Sequence, residues 1–416
     1  MTNIRAASRA AAAPRTMALA ILVAALGYFV DIYDLILFSI VRVTSLRSLG
    51  VAEDQILGQG VLLLNMQMGG MLVGGILWGV LGDKRGRLSV LFGSIVMYSL
   101  ANIANGCVTT VPQYAALRFV AGVGLAGELG AGITLVSEIM PVHTRGYGTM
   151  IVATVGILGA VAASLVGDAF DWRIAYFVGG GMGIALLVLR IGVAESGLFE
   201  GIRHASNVAR GNFWSLISSP KTRWKYLRVI MIGGPIWYVV GILVTFSPEF
   251  GREMAMTAVP SPGRAVLFAY TGLAIGDLTS GALSQIIRSR NRVVALFLAL
   301  TTLFVAAYFV VADVSLTMFY AICLLLGVAT GYWAVFVTIA SEQFGTNIRA
   351  TVTTTAPNFV RGSVVLMTSA FQALRPVVGI RGSGIVVGAV VLAIAYASLW
   401  GLDETYGKEL DYLEMP

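Results

Sequence analysis

Ionisable side chains inside long apolar stretches are the first residues of this chain that could do chemistry. A charge at the centre of a membrane-spanning helix costs about 2.5–3.5 kcal/mol on the insertion scale, so such residues face an interior cavity and serve a function. Buried carboxylates can bind and release protons, and a guanidinium binds carboxylates through two parallel hydrogen bonds. The set therefore predicts proton chemistry combined with recognition of an organic anion. Its members are Asp31, Asp34, Arg118, Glu128, Asp277 and Arg361.

The acids of the first and fourth apolar runs are the candidates for proton binding. At about 1.5 Å per residue, Asp31 lies about 21 Å and Asp34 about 25 Å from the start of the first run. Arg118 lies about 8 Å below the opposite face, at the depth of Asp34, so these two could pair. Glu128 lies about 15 Å deeper than Arg118. We expect Asp31 and Glu128 to bind and release a coupling proton, with Arg118 tuning them and Asp34 as a partner.

Arg361 is the candidate for substrate binding. It stands about 15 Å into the eleventh run, near the midplane, between Pro357, which can kink a helix, and Gly362, which permits close approach. A small organic acid is the expected ligand, and a salt bridge to Asp277 is the competing interpretation. Other residues expected to line the site are Asn65, Gln67, Trp237, Tyr238, Tyr332, Trp333 and Asn358, although plain helix packing explains the aromatic ones equally well.

The elements that carry these residues are membrane-spanning helices. The chain has 416 residues, of which 57% are hydrophobic and 12% charged, whereas soluble chains carry about twice that charged fraction. Each crossing needs roughly 20 apolar residues. A β-barrel is not expected, because the sequence has no extended stretch of alternating polar and apolar residues. The sequence predicts an all-α integral membrane protein with twelve spans. They cover residues 17–41, 56–81, 88–107, 113–137, 147–166, 173–193, 229–247, 264–287, 293–311, 316–340, 353–374 and 383–400.

Charge outside the runs predicts the orientation. Most of the 28 Lys and Arg residues, including Arg190 if it is counted with the central loop, fall on the side of both termini. Arg42 is among the few on the opposite side. Since positive loops stay in the cytoplasm, both termini are expected there. The net charge of +7 thus indicates topology, not a nucleic-acid partner. The first run lacks a clear cleavage site, so we expect it to be retained as a span.

A polar, basic stretch divides the runs six and six. Residues 194–228 are therefore the predicted linker between an N-terminal six-helix bundle, 1–193, and a C-terminal bundle with a short tail, 229–416. Internal repeats of this kind place a site at the midplane of many transporters.

An internal repeat supports the division. Arg145 follows Glu138 by seven positions, and Arg349 follows Glu342 by the same spacing. Each pair joins the fourth span of its half to the fifth. We assign these four residues to contacts that latch the halves.

The loop after the second run carries the most specific motif. It reads Gly-Val-Leu-Gly-Asp-Lys-Arg-Gly-Arg from Gly79 to Arg87 and resembles the G-x-x-x-D-[RK]-x-G-R signature of the major facilitator superfamily. The resemblance implies that Gly79, Asp83 and Arg87 form a latch between helices on the cytoplasmic side. The second half carries Gln285 in place of the acid, so the latch is expected on one side only.

Two further patterns are similar to the metabolite:proton symporter branch of that family, and to its sugar-porter-like relatives. They are the Gly127-Glu128 pair among small residues and the Asp31-x-x-Asp34 pair. Gly233-Gly234-Pro235 replaces the glutamines of sugar porters, which argues against a hexose. Together with the buried acids and Arg361, the resemblance predicts a proton-coupled symporter for a small organic anion, a carboxylate above all. We expect it to work by alternating access as a monomer in a bacterial inner membrane.

Other functional classes are weighed against this one. A proton-driven exporter of a drug, siderophore or other metabolite would use the same acids, and a receptor with a transporter fold is a minor alternative. An intramembrane enzyme is not expected, because H-E-x-x-H, G-x-S-x-G and P-loop motifs do not occur. Cys107 and Cys323 suggest no disulfide framework or metal cluster, and no cofactor is expected.

Overall fold

The structure, a computed structural model, describes residues 14–85, 87–128, 145–195, 213, 216, 219–311 and 315–408, and these ranges contain helices and no strand. The helices are α1 (Pro14–Ser48), α2 (Ile56–Arg85), α3 (Arg87–Asn105), α4 (Val111–Leu125), α5 (Arg145–Ala169), α6 (Trp172–Glu195), α7 (Pro220–Tyr238), a π-helical turn (Val239–Val244), α8 (Ser247–Glu253), α9 (Pro262–Ile286), α10 (Arg290–Val311), α11 (Leu316–Thr330), α12 (Trp333–Glu342), α13 (Thr346–Gly362) and α14 (Val364–Trp400).

Each of the twelve predicted spans overlaps at least one of these helices, and the described residues cover all of them except residues 129–137 of the fourth. Nine helical stretches of the described chain are long and apolar enough to cross a membrane. One of them, Thr351–Trp400, holds two predicted spans, because the chain turns at Gly379, whose φ is 73°. The third span contains the shorter apolar helix Val90–Asn105, and the described part of the fourth ends at Glu128. The predicted all-α membrane fold is confirmed.

The seventh span begins earlier than its apolar run. The run starts at residue 229, whereas α7 starts at Pro220. Proline at the first helical position is favourable, because its missing N–H would have no partner there. The added turns carry basic residues, among them Lys221 and Arg228. A hydropathy scan ends where such charges appear, but a helix can continue beyond the apolar layer.

The helices pack as two groups that meet along two seams. In the first group α1 packs on α5, α2 on α4, and α3 on α4 and α6. In the second group α9 packs on α11, α7 on α13 and α14, and α10 on α11. The seams between the groups are α2 against α13 and α5 against α9. Successive spans run in opposite directions. We call the end of the helices that holds residues 14 and 408 the near end, and the opposite end the far end.

Glycines bring α9 into backbone contact with the tenth span. A Cβ atom added to Gly276 or Gly331 would overlap the backbone of the other helix. Gly331 itself has non-helical angles (φ −75°, ψ 56°). The span is therefore broken here, with α11 ending at Thr330 and α12 beginning at Trp333. Discontinuous spans of this kind form binding sites in many transporters.

Candidate functional site

Arg361 lies at the centre of the interface between the two groups of helices. It is fully buried on α13, and its Nη1 atom is 3.5 Å from Oδ2 of Asp31 on α1, which is also fully buried. Among the described residues, none accepts a hydrogen bond from the three guanidinium nitrogens. The ion pair is thus long, and the guanidinium retains donors that a second carboxylate could use.

Aromatic rings surround the guanidinium. Its Cζ atom lies 5.9 Å from the ring centre of Trp237 and 5.8 Å from that of Trp333, within the range of about 6 Å for cation–π attraction. Buried Tyr28 and Tyr270 also lie within electrostatic range of it. The sequence analysis named both tryptophans but not these two tyrosines. The site combines one cation with flat apolar walls.

The predicted salt bridge between Asp277 and Arg361 is not formed. Oδ1 of Asp277 instead accepts a hydrogen bond of 3.0 Å from the backbone N–H of Ala334, at the start of α12. Glycine contacts place α9 directly against the break in the tenth span, so the carboxylate reaches the helix end before it can reach α13. In the same break, the Tyr332 hydroxyl donates to a backbone carbonyl of α7 at 2.8 Å.

The suggested pair of Asp34 with Arg118 is also absent. One Nη atom of Arg118 donates to Oε1 of Gln67, and the other donates to the Tyr176 hydroxyl at 3.4 Å. The guanidinium lies 4.9 Å from the ring centre of Phe38. Arg118 is within electrostatic range of Asp34, but α2 and α6 supply its hydrogen-bond acceptors.

Polar residues of α3 lie near Asp34. Neither oxygen of Asp34 accepts a well-aligned hydrogen bond, although the amide of Asn102 lies beside it. Tyr98, Ser99, Asn102 and Asn105 are all fully buried. These α3 residues were not among the predicted site residues, although their spacing places several of them on one helical face.

Glu128 is tightly paired with a residue that the sequence analysis misplaced. Oε2 of Glu128 accepts a hydrogen bond of 3.1 Å from Nη1 of Arg190, and a second contact joins Oε1 to Nη2. Arg190 is buried within α6, so counting it with the central loop was wrong. Its position inside the sixth apolar run, 173–193, already indicated that Arg190 lies within a span.

Two predicted substrate residues join the groups of helices. Nδ2 of Asn358 on α13 donates to the backbone carbonyl of Ala126 at 2.8 Å. Oδ1 of Asn65 on α2 accepts from the Thr368 hydroxyl at 2.6 Å. Both side chains are thus engaged across the interface in this conformation, and their contact with substrate stays a prediction.

Only part of the predicted latch lies in the described structure. The side chains of Asp83, Arg87 and Arg145, and all of Glu138, are outside the described residues. Gly79 lies on α2 and faces Thr355 of α13.

The latch residues of the second half have partners within that half. Oε2 of Glu342 accepts a hydrogen bond of 2.8 Å from the Thr405 hydroxyl and lies 3.5 Å from Nε of Arg290. Nε of Arg349 donates to the backbone carbonyl of Ser341 at 2.9 Å. These contacts lie at the near end, within the second group of helices.

A buried ion pair closes the far end. Nη2 of Arg42 on α1 is 2.7 Å from Oε1 of Glu249 on α8, and the guanidinium lies 4.9 Å from the ring centre of Phe246. Beside it, the Thr245 hydroxyl donates to the Ser39 hydroxyl at 3.0 Å. Arg42 was predicted to lie in a loop, because the first apolar run ends at residue 41.

Comparison with known proteins identifies the family. The sequence profile of the Major Facilitator Superfamily matches residues 17–368. The chain belongs to the major facilitator superfamily. Its long apolar helices, its broken helices and the G-x-x-x-D-[RK]-x-G-R loop all agree with this membership. It is accordingly a multi-pass transport protein of the cell membrane and not an enzyme.

Individual relatives are transporters of small molecules. The chain is 36% identical to the niacin transporter NiaP of Acinetobacter baylyi over 30% of each chain. It is 29% identical to the 3-(3-hydroxy-phenyl)propionate transporter of Escherichia coli over 58% of this chain and 62% of that one. It is 25% identical to the gentisate transporter of Corynebacterium glutamicum over 81% and 78%. The first two matches span less than two thirds of those relatives.

Proposed function

We propose that this superfamily member is a proton-coupled symporter of small aromatic carboxylates. One observation carries the proposal. Arg361 is a fully buried guanidinium, held between one acid and two indole rings, that donates no hydrogen bond of its own.

The guanidinium suits a substrate carboxylate. Arginine presents paired donors that match the two oxygens of a carboxylate. Asp31 engages them only through a contact of 3.5 Å, so a better-aligned carboxylate can replace it. Each charge-assisted hydrogen bond contributes about 1.5–3 kcal/mol, which is enough to offset the loss of one long contact.

The walls suit an aromatic ring. Trp237 and Trp333 offer flat faces on which a planar substrate can stack, and aromatic pairs contribute about 0.5–1.5 kcal/mol beyond their buried area. The names of the three relatives above all denote aromatic acids. Both observations favour an aromatic acid over an aliphatic one.

The coupling follows from the competition for Arg361. When a substrate carboxylate binds the guanidinium, Asp31 loses its counterion while still fully buried. An uncompensated carboxylate in such surroundings is neutralised by taking up a proton. Substrate and proton therefore bind together, which is symport. Asp34 lies within electrostatic range of Asp31 and can relay the proton.

The test is uptake into proteoliposomes with an imposed pH gradient, using labelled benzoate, nicotinate and a short aliphatic acid. We expect the wild type to accumulate the two aromatic acids. Arg361→Gln should lower uptake at least about tenfold, since charge-assisted hydrogen bonds are lost. The exposed Arg292→Gln serves as its matched control.

Asp31→Asn separates binding from coupling. This variant should still exchange labelled for unlabelled benzoate across the membrane, but should lose accumulation driven by the gradient. The exposed Asp54→Asn is its control. Accumulation by Asp31→Asn with normal pH dependence would contradict the coupling proposal, and wild-type uptake of the aliphatic acid alone would contradict the substrate proposal.

A further inference from the structure

We propose that Asp277 is a positioning residue. Its carboxylate caps the start of α12 and thereby holds the Trp333 ring beside Arg361, so that Asp277 sets the preference for aromatic over saturated carboxylates. The proposal rests on the function proposed above, because it assigns Trp333 a part in substrate recognition.

The first step is the break in the tenth span. The first N–H groups of a helix have no partner within that helix, and they are normally satisfied by a capping side chain. At α12 the capping position is Tyr332, whose side chain makes no capping hydrogen bond. The carboxylate of Asp277 fills that role from α9, accepting from the Ala334 N–H at 3.0 Å. A carboxylate is also favoured there by the helix dipole.

The second step is how α9 comes close enough. Gly276 and Gly331 face each other, and a Cβ atom on either would overlap the opposite backbone. A Cβ atom on Gly331 would also lie 2.7 Å from the backbone nitrogen of Asp277. The two glycines therefore let α9 touch the break itself. The short Asp277 side chain then reaches the end of α12.

The third step leads from the cap to the site. Trp333 is the first residue of α12, and it directly precedes the N–H that Asp277 holds. The residue is 5% exposed, and its ring centre lies 5.0 Å from that of Phe336 and 5.8 Å from Cζ of Arg361. Any shift at the start of α12 moves this ring. The cap thus fixes the distance between the aromatic wall and the cation.

A positioning role differs from a role for the charge of Asp277. Capping needs an acceptor oxygen at Oδ1, which asparagine also supplies. Proton carriage or pairing with a cation needs the carboxylate itself. If Asp277 acts as a cap, Asp277→Asn should keep the wild-type behaviour and Asp277→Ala should lose it. If the charge of Asp277 is what matters, both variants should be impaired.

The experiment measures KM for benzoate and for cyclohexanecarboxylate, which differ in the ring and not in the carboxylate. Asp277→Ala should raise the KM for benzoate about fivefold, the size expected when one aromatic contact is lost, and leave that for cyclohexanecarboxylate nearly unchanged. Asp277→Asn should behave as the wild type does. Trp333→Leu should match Asp277→Ala, and the double variant should add little, because both remove the same contact.

A second readout does not depend on transport. Hydrogen exchange of the amides from 333 to 336 should accelerate in Asp277→Ala but not in Asp277→Asn. The exposed Thr279→Ala on the same helix is the control for both measurements. The wild type could fail to transport benzoate while exchange at amides 333 to 336 still accelerates in Asp277→Ala. That result would contradict the proposed function but support the capping of α12 by Asp277.

Three outcomes would overturn the positioning role. The first is an equal rise of KM for both acids in Asp277→Ala. The second is an Asp277→Asn variant as impaired as Asp277→Ala. The third is unchanged exchange at the start of α12 in Asp277→Ala.

Discussion

Two buried arginines of this protein are held in different ways, and the difference indicates their tasks. Arg190 makes two contacts with Glu128 within the first group of helices, one of them a hydrogen bond of 3.1 Å. Arg361 meets Asp31 across the interface at 3.5 Å and donates no hydrogen bond. A fully hydrogen-bonded pair holds its own helices together, whereas a long pair can be replaced by a ligand. We therefore assign Glu128 first to stability and Asp31 first to coupling.

This assignment predicts a difference in stability at the level of single residues. Removing one partner of a buried ion pair costs about 3–5 kcal/mol, because the other charge is left uncompensated. Glu128→Gln should therefore lower the thermal unfolding temperature in detergent clearly more than Asp31→Asn does. Replacing both Glu128 and Arg190 by Gln should recover part of the loss. An unfolding temperature unchanged in Glu128→Gln, together with lost pH-dependent uptake, would return Glu128 to a coupling role.

At the scale of elements, three helix starts of the described chain receive hydrogen-bond acceptors from carboxylates elsewhere in the chain. Asp277 caps α12 from α9. Glu253 accepts from the Arg381 N–H at 3.1 Å, just after the turn at Gly379. Glu404, after the last span, accepts from the N–H groups of Arg290 and Asn291 at 2.8 and 3.2 Å. These contacts hold three helix starts in place, whereas α4, α9 and α11 are capped by the local side chains of Thr110, Ser261 and Ser315.

Glu404 permits a test with pH, since it lies beyond the spans. Burial raises the pKa of its carboxyl, but hydrogen bonds from the Ser289 hydroxyl and from the backbone N–H groups of Tyr406, Arg290 and Asn291 outweigh that effect, so its pKa lies below the usual value. A depressed pKa means that the ionised group stabilises the fold at neutral pH, and that this contribution is lost as pH falls through the folded-state pKa. Glu404→Gln should therefore cost about 1 kcal/mol at pH 7.

The measurement for Glu404 is thermal unfolding of wild type and Glu404→Gln in detergent across a pH series. The difference between the two should shrink as the pH falls below the ordinary range of glutamate, because both side chains are then neutral. The exposed Glu53 is not a suitable comparison, since it forms its own ion pair with Arg47 at 2.5 Å. A difference that stays constant down to pH 3 would show that the cap does not depend on charge.

At the scale of the whole molecule, contacts between the two groups of helices lie at several depths. Arg42 and Glu249 meet at the far end, Asp31 and Arg361 in the middle, and Asn358 reaches α4 on the near side of that pair. Alternating access requires the groups to rock about a central site. The far-end contacts must therefore break whenever the site opens to that side.

A cross-link at the far end tests this requirement. The hydroxyl oxygens of Ser39 and Thr245 are 3.0 Å apart, so cysteines at both positions can form a disulfide. In a Cys107→Ser background, oxidation of Ser39→Cys/Thr245→Cys should reduce transport by at least about tenfold, and a reducing agent should restore it. Each single cysteine variant is the control. Full transport by the oxidised protein would show that the far end does not open during the cycle.

The apolar runs by themselves determined the fold class. A run of about 20 apolar residues is long enough to cross a bilayer, and it crosses as a helix because every backbone polar group must be satisfied internally. The loop from Gly79 to Arg87 determined the family. Hydropathy and helical rise also placed Arg361 and Asp31 at buried depths, because depth follows from counting about 1.5 Å per residue. The types of residue at the candidate site were therefore predictable.

The partners of those residues were decided by the tertiary structure alone. Asp277 caps α12 and does not pair with Arg361, Arg118 binds Gln67 and not Asp34, and Arg190 is buried against Glu128. Which side chains meet depends on the rotation of each helix about its axis and on glycine contacts such as that of Gly276 with Gly331. Counting along one chain measures depth but not rotation. Packing of every helix against its neighbours sets rotation, and through it the chemistry of the site.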